Sequence, residues 1–128
     1  MSLHAPQKST GGIARVFKAF RYSLQGLRAA VQHEAAFRQE LALGVVLLVM
    51  VPWVARSPWQ ALALIGVVLL VWVVELLNSA LEALADAIST EHHPLLGRTK
   101  DLGSAAVLFT LLLAGLTWGL ALWERFAG

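Results

Sequence analysis

The chain has 128 residues, enough for one domain, with 58% hydrophobic residues, 14% charged residues and a net charge of +2. Soluble domains average about 25% charged residues, so this composition excludes a water-soluble globule and makes the bilayer the expected solvent. The absence of cysteine excludes a disulfide framework and thiolate chemistry.

Residues 1–11 are polar, include Pro6 and read as a disordered lead without a cleavable leader peptide. Residues 12–31 have a helical period. Ile13, Phe17, Phe20, Leu24, Leu27 and Val31 share an arc of about 80°, and Arg15, Lys18, Arg21, Tyr22, Gln25 and Arg28 face away from it. An apolar stripe opposed by a basic face suits a helix lying on anionic lipid. A soluble amphipathic helix would share the pattern, but the apolar segments that follow favour the membrane surface.

The first membrane span is expected over residues 34–55. Its uncharged part, Leu41 to Ala55, is short of the roughly 20 residues a span needs and recruits Ala35 to Glu40 at its inner end. Pro52 lies near its outer end, where a missing backbone donor matters least. A short turn at Arg56 to Pro58 leads to the second span, residues 59–87, which is apolar as far as Val74 and then continues as a polar helical extension. Pro94 and Gly97 predict a cytoplasmic loop over residues 88–100, and residues 101–123 form the third span. Gly115 and Gly119 make a GxxxG step that can bring helices together. The predicted fold class is an all-α membrane protein: a surface helix plus three transmembrane helices.

Basic residues set the orientation. The N-terminal segment carries Lys8, Arg15, Lys18, Arg21, Arg28 and Arg38, and Arg98 and Lys100 lie in the second loop, against Arg56 and Arg125 elsewhere. Positive-inside placement puts the N-terminus in the cytoplasm and the C-terminus outside. Trp53, Trp59 and Trp123 then share the outer interface as an aromatic belt.

Glu75, Asn78, Ser79, Glu82 and Asp86 share one stripe of the second helix, about 100° wide. Glu75 lies about 24 Å along that helix from Trp59, at about 1.5 Å per residue, inside the inner leaflet. A carboxylate there costs on the order of 2.5–3.5 kcal/mol, so it needs a reason. A polar seam gluing helices is one. Chemistry is the other: Glu34, Gln39, Glu40, Lys100 and Asp101 fall at the same level. Asp101 also suits an N-cap and Lys100 a snorkelling flank. Together the carboxylates suit Mg²⁺, which takes one or two of them and leaves positions for phosphate oxygens. A lysine balances a polyphosphate, and a partly desolvated glutamate suits a general base. There is no GxxxxGK[ST], GxGxxG, HRD or DFG string, so the common soluble kinase folds are excluded. The adjacent His92 and His93 read as loop residues rather than a metal pair.

The run from Glu75 through Asn78, Ser79 and Glu82 to Asp86 resembles the signature of the prokaryotic diacylglycerol kinases. Gly26 to Ala30, Glu34 to Glu40, Gly97 to Asp101 and Gly103 to Ala106 are similar to that family in the same order. The resemblance implies a homotrimer with active sites near the inner interface of the bacterial inner membrane. It implies transfer of the ATP γ-phosphate, with Mg²⁺, to the hydroxyl of diacylglycerol. By position it makes Glu75 the catalytic base and Glu34 and Glu82 the metal carboxylates. Arg15, Tyr22, Asn78, Glu91, His93, Lys100 and Asp101 become nucleotide contacts, and Arg28, Gln39, Glu40 and Glu75 face the lipid. Nucleic acid has no expected role. Rival readings are a kinase for undecaprenol or another lipid alcohol, and a non-catalytic helper or ion-coupled subunit that uses Glu75 as a proton relay.

Overall fold

The computed structural model describes residues 11–128, whose regular elements are helices: α1 (Gly12–His33), α2 (Ala35–Val54), α3 (Pro58–Ile88) and α4 (Pro94–Phe126). Apart from Gly11, the lead expected over residues 1–11 lies outside the described residues. Helix α1 buries only Ala30, and its apolar stripe, including Ile13, Phe17, Phe20 and Leu24, is exposed. The chain turns from α1 into α2 at a single extended residue, Glu34 (φ −118°, ψ 104°). The Glu34 N–H donates to the Ala30 carbonyl at 2.9 Å, closing α1, and its own carbonyl accepts from the Arg38 N–H at 3.1 Å, opening α2. The Arg38 guanidinium donates to the Val31 carbonyl at 2.8 Å, satisfying one of the acceptors that a helix end leaves open.

Helices α2, α3 and α4 are each long and apolar enough to cross a membrane. The 20 residues of α2 give about 30 Å of helix, the thickness of a hydrocarbon core, and Pro52 falls in its last turn. Helix α3 starts where Ser57 Oγ accepts from the Gln60 N–H at 3.0 Å with Pro58 at the first helical position. The predicted loop over residues 88–100 is shorter in the structure, because α4 already begins at Pro94. Proline suits a first helical turn, where its missing N–H has no partner to lose. Nδ1 of His93 accepts from the Leu95 N–H at 3.1 Å, so His93 is the N-cap of α4 and Asp101 is not.

Helix α3 is central and packs on both α2 and α4. Val51, Val54, Leu64, Val68, Trp118 and Ala121 form the core toward one end of the bundle. There Nε1 of Trp118 donates to the Leu64 carbonyl at 3.2 Å. Trp53, Trp59 and Trp123 are exposed at that same end, which is called the tryptophan end; the opposite end, with Glu34 and Glu82, is the carboxylate end. Arg56 Nη1 donates to the Glu124 carbonyl at 2.9 Å, and Arg125 Nε donates to the Trp53 carbonyl at 2.9 Å, tying the tryptophan end together. Only 17–22% of the most apolar window of each long helix is buried. The remaining surface needs lipid or further helices against it. Gly115 and Gly119 face open space, so the GxxxG step draws none of the described helices close. The close approaches are at Gly44 and Gly103 instead.

Candidate active site

The polar stripe of α3 enters the protein rather than facing outward. Glu75 is 6% exposed and Asn78 8%, whereas Glu82 is half-buried and Asp86 exposed. The amide of Asn78 donates to Glu82 Oε2 at 3.4 Å, tying two successive turns of the stripe. Asn78 Oδ1 is buried without a hydrogen-bond partner. It points against Gly103 of α4, where a methyl group would collide with it. The absence of a side chain at Gly103 is what lets the carboxamide lie between α3 and α4. Farther along, Lys100 Nζ pairs with Asp86 Oδ1 at 2.6 Å, joining α4 to α3. Both groups are solvent-accessible, so the pair contributes little stability; its effect is to hold the ammonium at the carboxylate end.

A second set of groups comes from the α1–α2 corner. Glu34 is half-buried at the break between the helices, and Glu40 lies half-buried in α2. One carboxylate oxygen of Glu40, Oε2, is buried and unpartnered. Glu34 at the corner, Glu40 on α2 and Glu82 on α3 thus sit on the helices that pack together around the buried Glu75. Among the described residues no three His, Asp or Glu side chains form a metal site by themselves. An ion arriving on a polyphosphate needs fewer, since Mg²⁺ keeps phosphate and water ligands.

Two cavities flank the stripe. One, of about 700 Å³, runs between α1 and α3 and is lined mainly by apolar or small residues such as Leu27, Ala30 and Ala83, with Glu34, Ser79 and His33 at its polar points. The other, of about 310 Å³, lies at the turn between α3 and α4 and is polar, lined by Thr90, Glu91, His93, Gly97 and Lys100 among others. An apolar cleft suits a lipid tail and a polar hollow suits a nucleotide.

The sequence-predicted residues divide accordingly. Glu34, Glu40, Glu75, Asn78 and Glu82 belong to the buried cluster or the apolar cleft. Glu91, His93 and Lys100 share the polar cavity. Arg15, Tyr22, Arg28, Gln39 and Asp101 are exposed and line neither cavity. The sequence reading placed Gly103 in a family motif without a role, and singled out neither Gly44 nor Trp72. Trp72 Nε1 donates to the Glu40 carbonyl at 2.9 Å, and a methyl group at residue 44 would lie 2.5 Å from Cζ2 of the same indole. A tryptophan inside an apolar helix must find an acceptor for its N–H, and that was the available signal.

The family model for prokaryotic diacylglycerol kinase matches residues 21–122. The diacylglycerol kinase of Escherichia coli (strain K12) is 47% identical over 118 residues, which covers 92% of this chain and 97% of the relative. The diacylglycerol kinase of Pseudomonas aeruginosa is 44% identical over 114 residues, covering 89% and 93%. That of Haemophilus influenzae is 42% identical over 110 residues, covering 86% and 93%. The matched segment contains the α3 stripe, the α1–α2 corner and the polar turn, and the chain belongs to the prokaryotic diacylglycerol kinase family.

Proposed function

We propose that this chain transfers the γ-phosphate of Mg-ATP to the hydroxyl of diacylglycerol, giving phosphatidate and ADP. The observation that carries the reading is the burial of Glu75 and Asn78 within an apolar helix, with Asn78 tied to Glu82 on a helix that borders an apolar cleft and ends at a polar cavity. A lipid hydroxyl lives at the headgroup level and ATP arrives from the aqueous side, so the reacting groups must meet at such a boundary. The positive-inside pattern supports a bacterial inner-membrane location with the carboxylate end in the cytoplasm. The uncovered apolar faces of α2, α3 and α4 leave room for the partner copies of a homotrimer.

In this reading Glu75 accepts the hydroxyl proton while the lipid oxygen bonds to the γ-phosphorus and the bond to the ADP oxygen breaks. Glu34 and Glu82 hold the Mg²⁺ of Mg-ATP, which neutralises charge on the phosphates. Asn78 orients Glu82 and offers its buried carboxamide beside the transferring phosphate. Lys100, held by Asp86, joins Glu91 and His93 on the nucleotide side with Asp101, Arg15 and Tyr22. Arg28, Gln39 and Glu40 line the lipid approach. Phosphoryl transfer needs mainly positioning and charge stabilisation, and these groups supply both.

Glu75→Gln tests the assignment. It keeps shape and hydrogen bonding, removes a costly buried charge and cannot accept the proton. The variant is expected to fold at least as stably, bind ATP nearly normally and lose kcat by about 10²–10⁴-fold. A folded variant with unchanged kcat would remove Glu75 from the chemistry.

A further inference from the structure

Trp72 lies one turn before Glu75 on α3, on the side that meets α2. Its indole is half-buried, and its N–H donates to the Glu40 carbonyl at 2.9 Å. That carbonyl already belongs to the α2 helix ladder, so the indole takes its second lone pair. The ring reaches this backbone because residue 44, one turn along α2, has no side chain: a Cβ there would sit 2.5 Å from Cζ2 and 2.7 Å from Nε1. Backbone and ring are thus in direct contact, and sliding α2 along α3 would break the hydrogen bond and the packing together. The locked point is at Glu40, whose carboxylate oxygen Oε2 is buried without a partner, and the contact seats α2 on α3 one turn before Glu75. The same helix turn continues to Gln39 and, through its first residues, to the Glu34 corner.

We propose that Trp72 is a positioning residue for phosphoryl transfer: seated on Gly44 and bonded to the Glu40 backbone, it fixes α2 relative to Glu75. The proposal rests on the lipid-kinase reading above. It assigns Trp72 no contact with nucleotide or reacting atoms. What it sets is the separation between the proposed base on α3 and the α2 groups that line the lipid approach. The polar cavity of Glu91, His93 and Lys100 lies at the far end of α3 and is not part of the lock.

Trp72→Phe keeps the ring and removes the donor; Gly44→Ala keeps the donor and unseats the ring. Both are assayed as full-length protein in mixed micelles, alone, combined, and with Trp72→Phe placed on Glu75→Gln, with folded fraction followed by circular dichroism. Small displacements of reacting groups cost up to about 100-fold in rate, so each single variant is expected to lose about 10- to 100-fold in kcat/KM for diacylglycerol. KM for ATP should stay unchanged. The double variant should be less impaired than the product of the singles, as for two disruptions of one contact, and Trp72→Phe should add nothing to Glu75→Gln. Because the two single variants disturb the contact from opposite sides, a folding defect in one leaves the other to decide. Full kcat/KM in folded Trp72→Phe and Gly44→Ala overturns the proposal. So does a parallel loss of lipid and ATP parameters that follows the folded fraction, which would make the contact merely structural. If Glu75→Gln remains active while Trp72→Phe loses lipid turnover selectively, the base assignment fails and the positioning role stands.

Discussion

Asn78 shows how one side chain serves two neighbours. Its amide reaches Glu82, and its carbonyl oxygen stays buried without a partner. An unpaired buried acceptor costs about 1–3 kcal/mol, a cost that a ligand donor can relieve. In the proposed mechanism Glu34, at the α1–α2 corner, and Glu82, on α3, hold the metal ion carried by the nucleotide. Glu34→Gln and Glu82→Gln keep size and remove one charge each. Both are expected to raise the Mg-ATP requirement and lower turnover, read as KM for Mg-ATP across a magnesium titration. Full activity with unchanged metal dependence in either variant would remove that residue from the metal site. Glu75 and Asn78 were legible in the sequence because polar groups at membrane depth are expensive. The roles of Gly103, Gly44 and Trp72 were not, since a glycine's importance depends on which helix faces it, and that is a property of tertiary packing.

Helix α4 meets α3 through Trp118 toward the tryptophan end and through Gly103 beside the polar stripe. Gly103 admits the Asn78 carboxamide, while a methyl group at the more conspicuous Gly115 or Gly119 would meet nothing among the described residues. Gly103→Ala places a methyl group against Asn78 Oδ1. Overpacking of this kind costs about 1–3 kcal/mol, and displacing Asn78 also loosens Glu82. The variant is expected to lose thermal stability by that order and turnover by more than its folded fraction explains. Unfolding measurements paired with initial rates check both, and unchanged values would show that α4 does not press on the stripe. The spans were readable from hydropathy. The start of α4 was not, because Pro94 and Gly97 read as breakers although proline favours a first helical turn. The capping role also falls to His93, which is outside the usual capping residues.

At the scale of the whole molecule, charge and aromatic residues divide by end. Arg15, Lys18, Arg21 and Arg28 lie on α1, Arg38 in the first turn of α2, and Arg98 and Lys100 in the first two turns of α4, while exposed Trp53, Trp59 and Trp123 mark the other end. Three crossings then place the start of α1 and the end of α4 on opposite sides. A reporter fused after Gly128 is expected to be active only outside the cytoplasm; activity only in the cytoplasm would reverse the orientation and put the carboxylate end away from ATP. The open apolar faces of the single chain also explain why the assembly was not legible from spans alone: lipid and a second copy satisfy such faces equally well.

The lipid-kinase reading is tested most directly by incubating the purified protein in mixed micelles with γ-labelled ATP, magnesium and a panel of lipid alcohols. The account predicts label in phosphatidate when diacylglycerol is supplied, with transfer to undecaprenol far slower. Preferential labelling of undecaprenol, or no transfer to any lipid by the folded protein, would contradict it.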